Sequence, residues 1–126
     1  MTAIRNILII TLFLALSSFH RPANLGDLLE SMRTGDAGRI TVYLGQSVDL
    51  NIPGHSGAYS KSEAKKMIQL FFAQHPLKTF RIIHQAEIGG SKMLVGTMFT
   101  ENATFRTTLL FHEKTGAQVL KELRFE

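Results

Sequence analysis

The sequence predicts an α+β domain in which helices pack on one face of a curved antiparallel sheet. Three observations lead to this prediction. Apolar residues recur at helical spacing in the first half of the chain, they alternate with polar residues in the second half, and short turns separate the alternating runs. Short connections make neighbouring strands antiparallel, and helices that are segregated from strands along the chain favour the α+β class.

The first 19 residues have the pattern of a secretory signal peptide. Arg5 precedes an uninterrupted apolar run from Ile7 to Phe19, and the helix-breaking sequence HRP follows it. The run is shorter than the roughly 20 residues that a membrane-spanning helix needs. We therefore expect export to the periplasm or the extracellular space, without a permanent membrane span. Because the chain has no cysteine, we do not expect a lipoprotein.

The remainder, residues 24–126, is expected to form a single domain with one core, because a chain of 126 residues is too short for two domains of ordinary size. Its first predicted helix runs from a cap at Asn24 to a stop at Gly35. A second, shorter helix is predicted from Asp36 to Leu44, with Gly45 as its end. The β-branched Thr41 weakens this second helix, because such side chains lose rotamer freedom there.

A short strand with one wet face is predicted next, because Val48, Leu50 and Ile52 alternate with polar residues. Gly54 and Gly57 flank His55, and we attribute both glycines to the backbone conformation that a turn requires. His55 is then an exposed turn residue at the rim of the domain. Contact between His55 and a ligand is the alternative.

The third predicted helix has the strongest local signals in the chain. Ser60 and Glu63 form an S-x-x-E capping box, and Pro76 forces the helix to end near Gln74 or His75. Four alternating runs follow, separated by turn signals at Gly89-Gly90, Glu101-Asn102 and Thr115-Gly116. We expect these runs to form a four-stranded antiparallel meander.

Several segments resemble a known family: GDAGRITVYL, VDLNIPGHSGAYSKSEA, FFAQHP, FRIIHQ, VGTMFT, ATFRTTLLF and LKELRFE. Together they resemble the exported bacterial family labelled domain of unknown function 4783, which is similar to the nuclear transport factor 2-like (cystatin-like) superfamily. The resemblance covers the expected mature chain and implies a cone of helices wrapped by a curved antiparallel sheet. It implies no reaction, because function belongs to the site rather than to the fold.

His84 is the main candidate for chemistry. On the strand that begins near Phe80, the predicted face of Phe80, Ile82, His84 and Ala86 is otherwise apolar. A histidine there could act as a general base or donate to a ligand inside the cone. A core histidine that is satisfied by a neighbouring hydroxyl or carbonyl is the simpler interpretation.

Four further residues are candidates for a ligand pocket. Tyr43 could donate to an oxyanion, or it could pack as an amphipathic core residue. Asp49 could be a base at the mouth of the cone, as in isomerases of the superfamily, or a solvated residue on the wetter strand face. Arg106 could bind a carboxylate bidentately, or its stem could cover apolar surface. His55 is the fourth candidate, through the ligand contact described above.

Several classes of function are not indicated. The net charge of +4 comes without a run of like charges, and the phenylalanines sit at core spacing, so we expect no nucleic-acid surface. The chain has no paired metal-ligand motif and no glycine-rich phosphate loop. We therefore expect neither a metal nor a cofactor.

We favour a non-catalytic binding or dimerisation module of the cell envelope. Both faces of the last strands are apolar, with Phe105, Leu109 and Phe111 on one side and Leu110 and Leu120 on the other, which predicts a homodimer through the sheet. A small apolar ligand or an envelope protein is the expected partner. The alternatives are an isomerase or dehydratase that uses His84 with Asp49 or Tyr43, and a purely structural envelope component.

Overall fold

The computed structural model describes residues 25–114 and 116–126, which form three helices and one six-stranded sheet. The helices are α1 (Leu25–Thr34), α2 (Ala37–Thr41) and α3 (Lys61–Gln74). The strands are β1 (Leu44–Ile52), β2 (His55–Ser60), β3 (Leu77–Ile88), β4 (Ser91–Thr100), β5 (Thr104–Lys114) and β6 (Ala117–Phe125). The predicted signal peptide at residues 1–19, the predicted cap Asn24 and the turn residue Thr115 lie outside the described residues.

The sheet is mixed and has the order β2-β1-β6-β5-β4-β3. Strands β3 to β6 form the predicted antiparallel meander. The prediction that the sheet has only four strands is wrong, because β1 pairs in parallel with β6 and β2 pairs with β1. These pairings satisfy backbone groups that the open edge of β6 would otherwise leave without partners.

The segment after Ile52 forms a hairpin where the sequence predicted only a turn. Ile52 pairs with His55 across a two-residue loop, in which Gly54 takes a φ of 87°. Such tight loops need positive φ, which glycine adopts without steric cost. His55 is therefore exposed as predicted, but it is the first residue of an edge strand rather than a turn residue.

The helix boundaries agree with the sequence prediction for α1 and α3 but not for α2. The Asp36 carboxylate caps α2 by accepting from the Arg39 N–H at 3.1 Å, as expected. The helix ends at Thr41, however, because the next residues join the sheet: the Tyr43 carbonyl accepts from the Leu120 N–H at 2.8 Å. Gly45, which was predicted to end the helix, lies within β1.

The start of α3 contains the predicted cap in a modified form. Ser60 Oγ accepts from the Glu63 N–H at 3.3 Å, as a capping box requires. The Glu63 carboxylate accepts from the Ser60 hydroxyl at 3.0 Å, where the box predicted a bond to the Ser60 backbone. At its other end the helix stops at Gln74, with His75 as the cap, as Pro76 predicted.

The core lies between the helices and the sheet face that they cover, which we call the inner face. Its fully buried side chains come from all three helices and from β1, β4, β5 and β6: Leu28, Met32, Ile40, Leu50, Ile68, Leu94, Met98, Leu109, Phe111, Leu120, Leu123 and Phe125. Leu120 is thus on the inner face, which contradicts its predicted place opposite the core. The β5–β6 register slips after Leu110, where Lys121 is an extra residue of β6. The alternation of inner and outer side chains along β6 therefore reverses at Lys121.

A close approach of strands β3 and β4 explains the glycine at position 96. A Cβ atom there would lie 2.6 Å from the Arg81 carbonyl oxygen and 2.8 Å from the Phe80 ring. Real Cβ atoms do not tolerate such distances, and the nearer atom is backbone that cannot rotate away. The buried Phe80 ring therefore occupies the space that any other residue at position 96 would need.

A buried tyrosine connects α1 to the start of the sheet. The Tyr43 hydroxyl donates to Asp27 Oδ2, and Arg39 Nη2 donates to Asp27 Oδ1 at 2.7 Å. The hydrogen bond from Tyr43, followed by that from Arg39, lowers the pKa of the Asp27 carboxyl. Burial and the bond to Asp27 raise the pKa of Tyr43 to about 12.

The crowding at Gly96 predicts that Gly96→Ala lowers the free energy of unfolding by about 1–3 kcal/mol, because strand β3 must shift to admit a methyl group. Urea unfolding measures this loss. Gly38→Ala is the matched control, since a Cβ there lies 3.4 Å from its nearest atom and alanine is the better helix former. An equal loss in both variants would contradict this account of Gly96.

The raised pKa predicts that Tyr43 ionises late in an alkaline titration. The chain has two tyrosines and no tryptophan, so tyrosinate absorbance follows them directly. In Tyr59→Phe we expect one transition at a pH of about 12. In Tyr43→Phe that transition should be absent.

The raised pKa of Tyr43 also makes the stability of the folded protein depend on pH. Folding holds the Tyr43 proton above its ordinary pKa of 10.0, so this contribution to stability is complete below pH 10.0 and is lost as the pH rises towards about 12. Urea unfolding of the wild type should therefore show a decline over that range that Tyr43→Phe lacks. An equal decline in both proteins would refute the assignment.

Candidate functional site

The structure does not bring the five predicted site residues together. Tyr43 is buried between α1 and the sheet, with its hydroxyl committed to Asp27. Asp49, His84 and Arg106 are exposed on the sheet face that points away from the helices, which we call the outer face. The exposure of Asp49 agrees with its predicted wet strand face. His55 lies at the far edge of the sheet, on β2.

The predicted inward orientation of His84 is wrong. Ile82 pairs with Gly96, but His84 pairs with Val95, so that Ile83 is an extra residue in β3. A one-residue bulge moves all later side chains to the opposite face of a strand. His84 is therefore exposed on the outer face, and not inside the cone where the isomerase alternative needs it.

The acidic residues of the outer face cluster on one side, where Arg124 forms ion pairs with Glu122 and Glu126. Arg81 lies on β3 at one edge, whereas Asp49, Glu122 and Glu126 follow β1 and the end of β6. Glu126 is the cross-strand backbone neighbour of Arg106, but its carboxylate accepts from Arg124 Nη2 at 2.6 Å instead. Within the described ranges, neither Arg81 nor Arg106 forms an ion pair.

Between these charges lies a small apolar patch. Met93 pairs with Leu110, and the next outer residue of β4, Val95, pairs with Thr108. Val95 is only 5% exposed although none of the described helices covers this face. Little of the patch at Val95 is therefore open to solvent.

A cleft of about 230 Å³ lies on the other side of the molecule, between α3 and the β1–β2 turn. We call it the α3 cleft. One wall of the cleft is apolar and is formed by Ile52, Pro53, Met67, Leu70 and Phe71. Leu70 is 53% exposed, so its apolar side chain is accessible at this wall.

The polar end of the α3 cleft consists of His55, Gln74 and His75. Asn102 Nδ2 donates to the Gln74 carbonyl at 3.0 Å, which turns its Oδ1 towards His75 Nδ1 at 2.7 Å. Because an amide oxygen only accepts, His75 Nδ1 carries a proton and donates to Asn102, and in a neutral ring Nε2 is then the acceptor atom. The imidazole also packs against Phe71 and Phe105, with ring centroids 4.9 Å apart in both pairs.

Nothing in the sequence indicates this arrangement except the position of His75 at a helix end. Its partner Asn102 lies 27 residues further along the chain, in a turn that was recognised only as a turn. Across residues 25–114 and 116–126, no group of three histidine, aspartate or glutamate side chains could hold a metal ion. In the same ranges no helix is long and apolar enough to cross a membrane.

Known structures share this fold. A DUF4783 family protein from Bacteroides uniformis ATCC 8492 matches with a TM-score of 0.77 and 25% identity, over 82% of this chain and 96% of that chain. A DUF4783 family protein from Bacteroides ovatus ATCC 8483 matches with a TM-score of 0.76 and 22% identity, over 84% of this chain and 96% of that one.

A more distant match confirms the predicted superfamily fold. It is an NTF2-like protein of unknown function from Cytophaga hutchinsonii ATCC 33406, with a TM-score of 0.58 and 12% identity, over 86% of this chain and 92% of that chain. None of the curated proteins matches this chain. The model of the domain of unknown function DUF4783 matches residues 25–126, which include every described residue. The chain therefore belongs to the DUF4783 family, as the quoted segments predicted.

Proposed function

We propose that this protein is a non-catalytic binding module of the cell envelope that holds a small apolar ligand in the α3 cleft. The exposed Leu70 beside Met67 and Phe71 is the observation that carries this proposal. An apolar concave wall with a few polar groups at one end is the usual form of a small-molecule site. The signal-like residues 1–19 are the basis for placing the module in the envelope.

The size of the cleft favours a short ligand. Its volume of about 230 Å³ lies below the roughly 300–1,000 Å³ of most ligand pockets. A single alkyl chain or a small aromatic molecule fits such a space, and the apolar wall would remove it from water. Each buried CH₂ group contributes about 0.8 kcal/mol.

Binding is favoured over catalysis by the separation of the predicted acid and base groups. General acid–base chemistry needs groups within hydrogen-bond reach of one reacting atom. Asp49 and His84 are on the outer face, whereas the α3 cleft lies on the inner side and the Tyr43 hydroxyl is bonded to Asp27. This separation leaves no convergent set among the residues that were proposed for an isomerase.

A second proposal, dimerisation through the outer face, rests on the distribution of its side chains. Met93, Val95 and Leu110 form an apolar centre, with the unpaired Arg81 on one side. Glu126, which Arg124 already pairs, lies on the other side at the same level of the strands. A two-fold axis along the strands, between β4 and β5, would lay β3 of one copy over β6 of the second. Such a pairing places Arg81 of one copy opposite Glu126 of the second, around a shared apolar centre.

The cleft proposal predicts saturable binding of the neutral fluorophore N-phenylnaphthylamine, which Leu70→Asp should weaken about tenfold or more, because a charge replaces apolar wall. Fluorescence titration measures both affinities. Ile83→Asp is the matched control, since Ile83 is an exposed aliphatic residue outside the cleft, 61% exposed against 53% for Leu70. Equal affinity in the two variants, or no saturable binding by the wild type, would rule the proposal out.

The dimer proposal predicts that residues 24–126 sediment as a dimer at micromolar concentration and that Leu110→Asp converts them to a monomer. The added carboxylate would lie unpaired in the apolar centre of the interface. Leu70→Asp places the same charge on the opposite side of the molecule and should leave the dimer intact. A wild-type monomer under these conditions contradicts the proposal.

A further inference from the structure

We infer that His75 makes the α3 cleft selective for an uncharged apolar molecule that ends in a hydrogen-bond donor, such as an aliphatic alcohol. The inference rests on the proposed binding function of the same cleft and adds the chemistry of the ligand. Its basis is the fixed orientation and tautomer of the His75 ring.

The tautomer is fixed by two hydrogen bonds in sequence. The Gln74 carbonyl belongs to the last turn of α3, where carbonyl groups lack helical partners, and Asn102 Nδ2 donates to it at 3.0 Å. The Asn102 amide therefore presents its oxygen, not its nitrogen, to His75 Nδ1 at 2.7 Å. A reversed amide would place oxygen against oxygen at Gln74.

The ring is also held in place by packing. His75 lies tilted against Phe71 and edge to face with Phe105, which is itself buried. Within the described residues, no hydrogen bond to Nε2 is found. His75 lines the cleft, and Nε2 is the ring nitrogen that remains for a ligand. A ring held in place in this way reduces the entropy that binding costs.

The surroundings of His75 disfavour a negatively charged ligand. Among the described residues, no lysine, arginine, aspartate or glutamate lines the α3 cleft, and the titratable side chains that do are His55 and His75. A carboxylate would lose water and face the Nε2 lone pair, since neutral imidazole has no donor there. A hydroxyl group donates to the same lone pair without that penalty.

The inference is tested by competition at about pH 8, where an ordinary histidine is neutral. Hexanol, hexanoate and the methyl ether of pentanol compete with N-phenylnaphthylamine for the wild-type protein. We expect hexanol to bind about fivefold more tightly than the ether, which has no donor. Its affinity should exceed that of hexanoate by about tenfold or more. His75→Phe keeps an aromatic ring and should abolish the preference for hexanol over the ether, whereas His55→Phe should retain it.

The outcomes separate the two proposals. If the fluorophore binds but hexanol and the ether compete equally, or if His75→Phe keeps the preference, the inference is overturned and the binding function stands. If the fluorophore does not bind, both fail. Nitrogen NMR of the wild type provides a test that needs no variant. In the neutral His75 ring, Nδ1 should carry the proton, and the Nε2 resonance should shift when hexanol is added. A neutral ring with its proton on Nε2 would overturn the inference.

Discussion

The packing of Phe71 against the last strands determines where the α3 cleft lies. Its ring stacks on Phe125 at 4.5 Å and meets Phe105 edge to face at 5.0 Å, so α3 is fixed across β5 and β6. This contact places the end of α3 beside the β4–β5 turn, where Asn102 reaches Gln74 and His75. The polar end of the α3 cleft is thus a consequence of an aromatic contact in the core.

Register slips in the sheet decide which side chains are available for function. One slip in β3 moves His84 to the outer face, and another opposite Leu110 returns Leu120 to the core. Both change the face of every later residue in their strands. The outer face consequently has a narrower apolar centre than the sequence predicts, and it carries His84 that a regular strand would have buried.

The two proposed surfaces lie on different sides of the sheet and do not compete. The α3 cleft opens between a helix and the β1–β2 turn, whereas the proposed dimer interface lies on the sheet face that none of the described helices covers. A dimer formed through the outer face would keep both clefts accessible. The hydrogen bond between Tyr43 and Asp27 belongs to neither surface, because it connects α1 to the start of the sheet.

Local signals in the sequence determined the helices, the meander and the family. The cap at Ser60, the stop before Pro76 and the glycine turns act over a few residues, so the printed sequence is sufficient for them. Tertiary structure alone decided that β1 joins β6, that Ile83 bulges, and that His75 meets Asn102, 27 residues away. These features depend on which distant backbone and side-chain groups come into contact, and no local spacing encodes that choice.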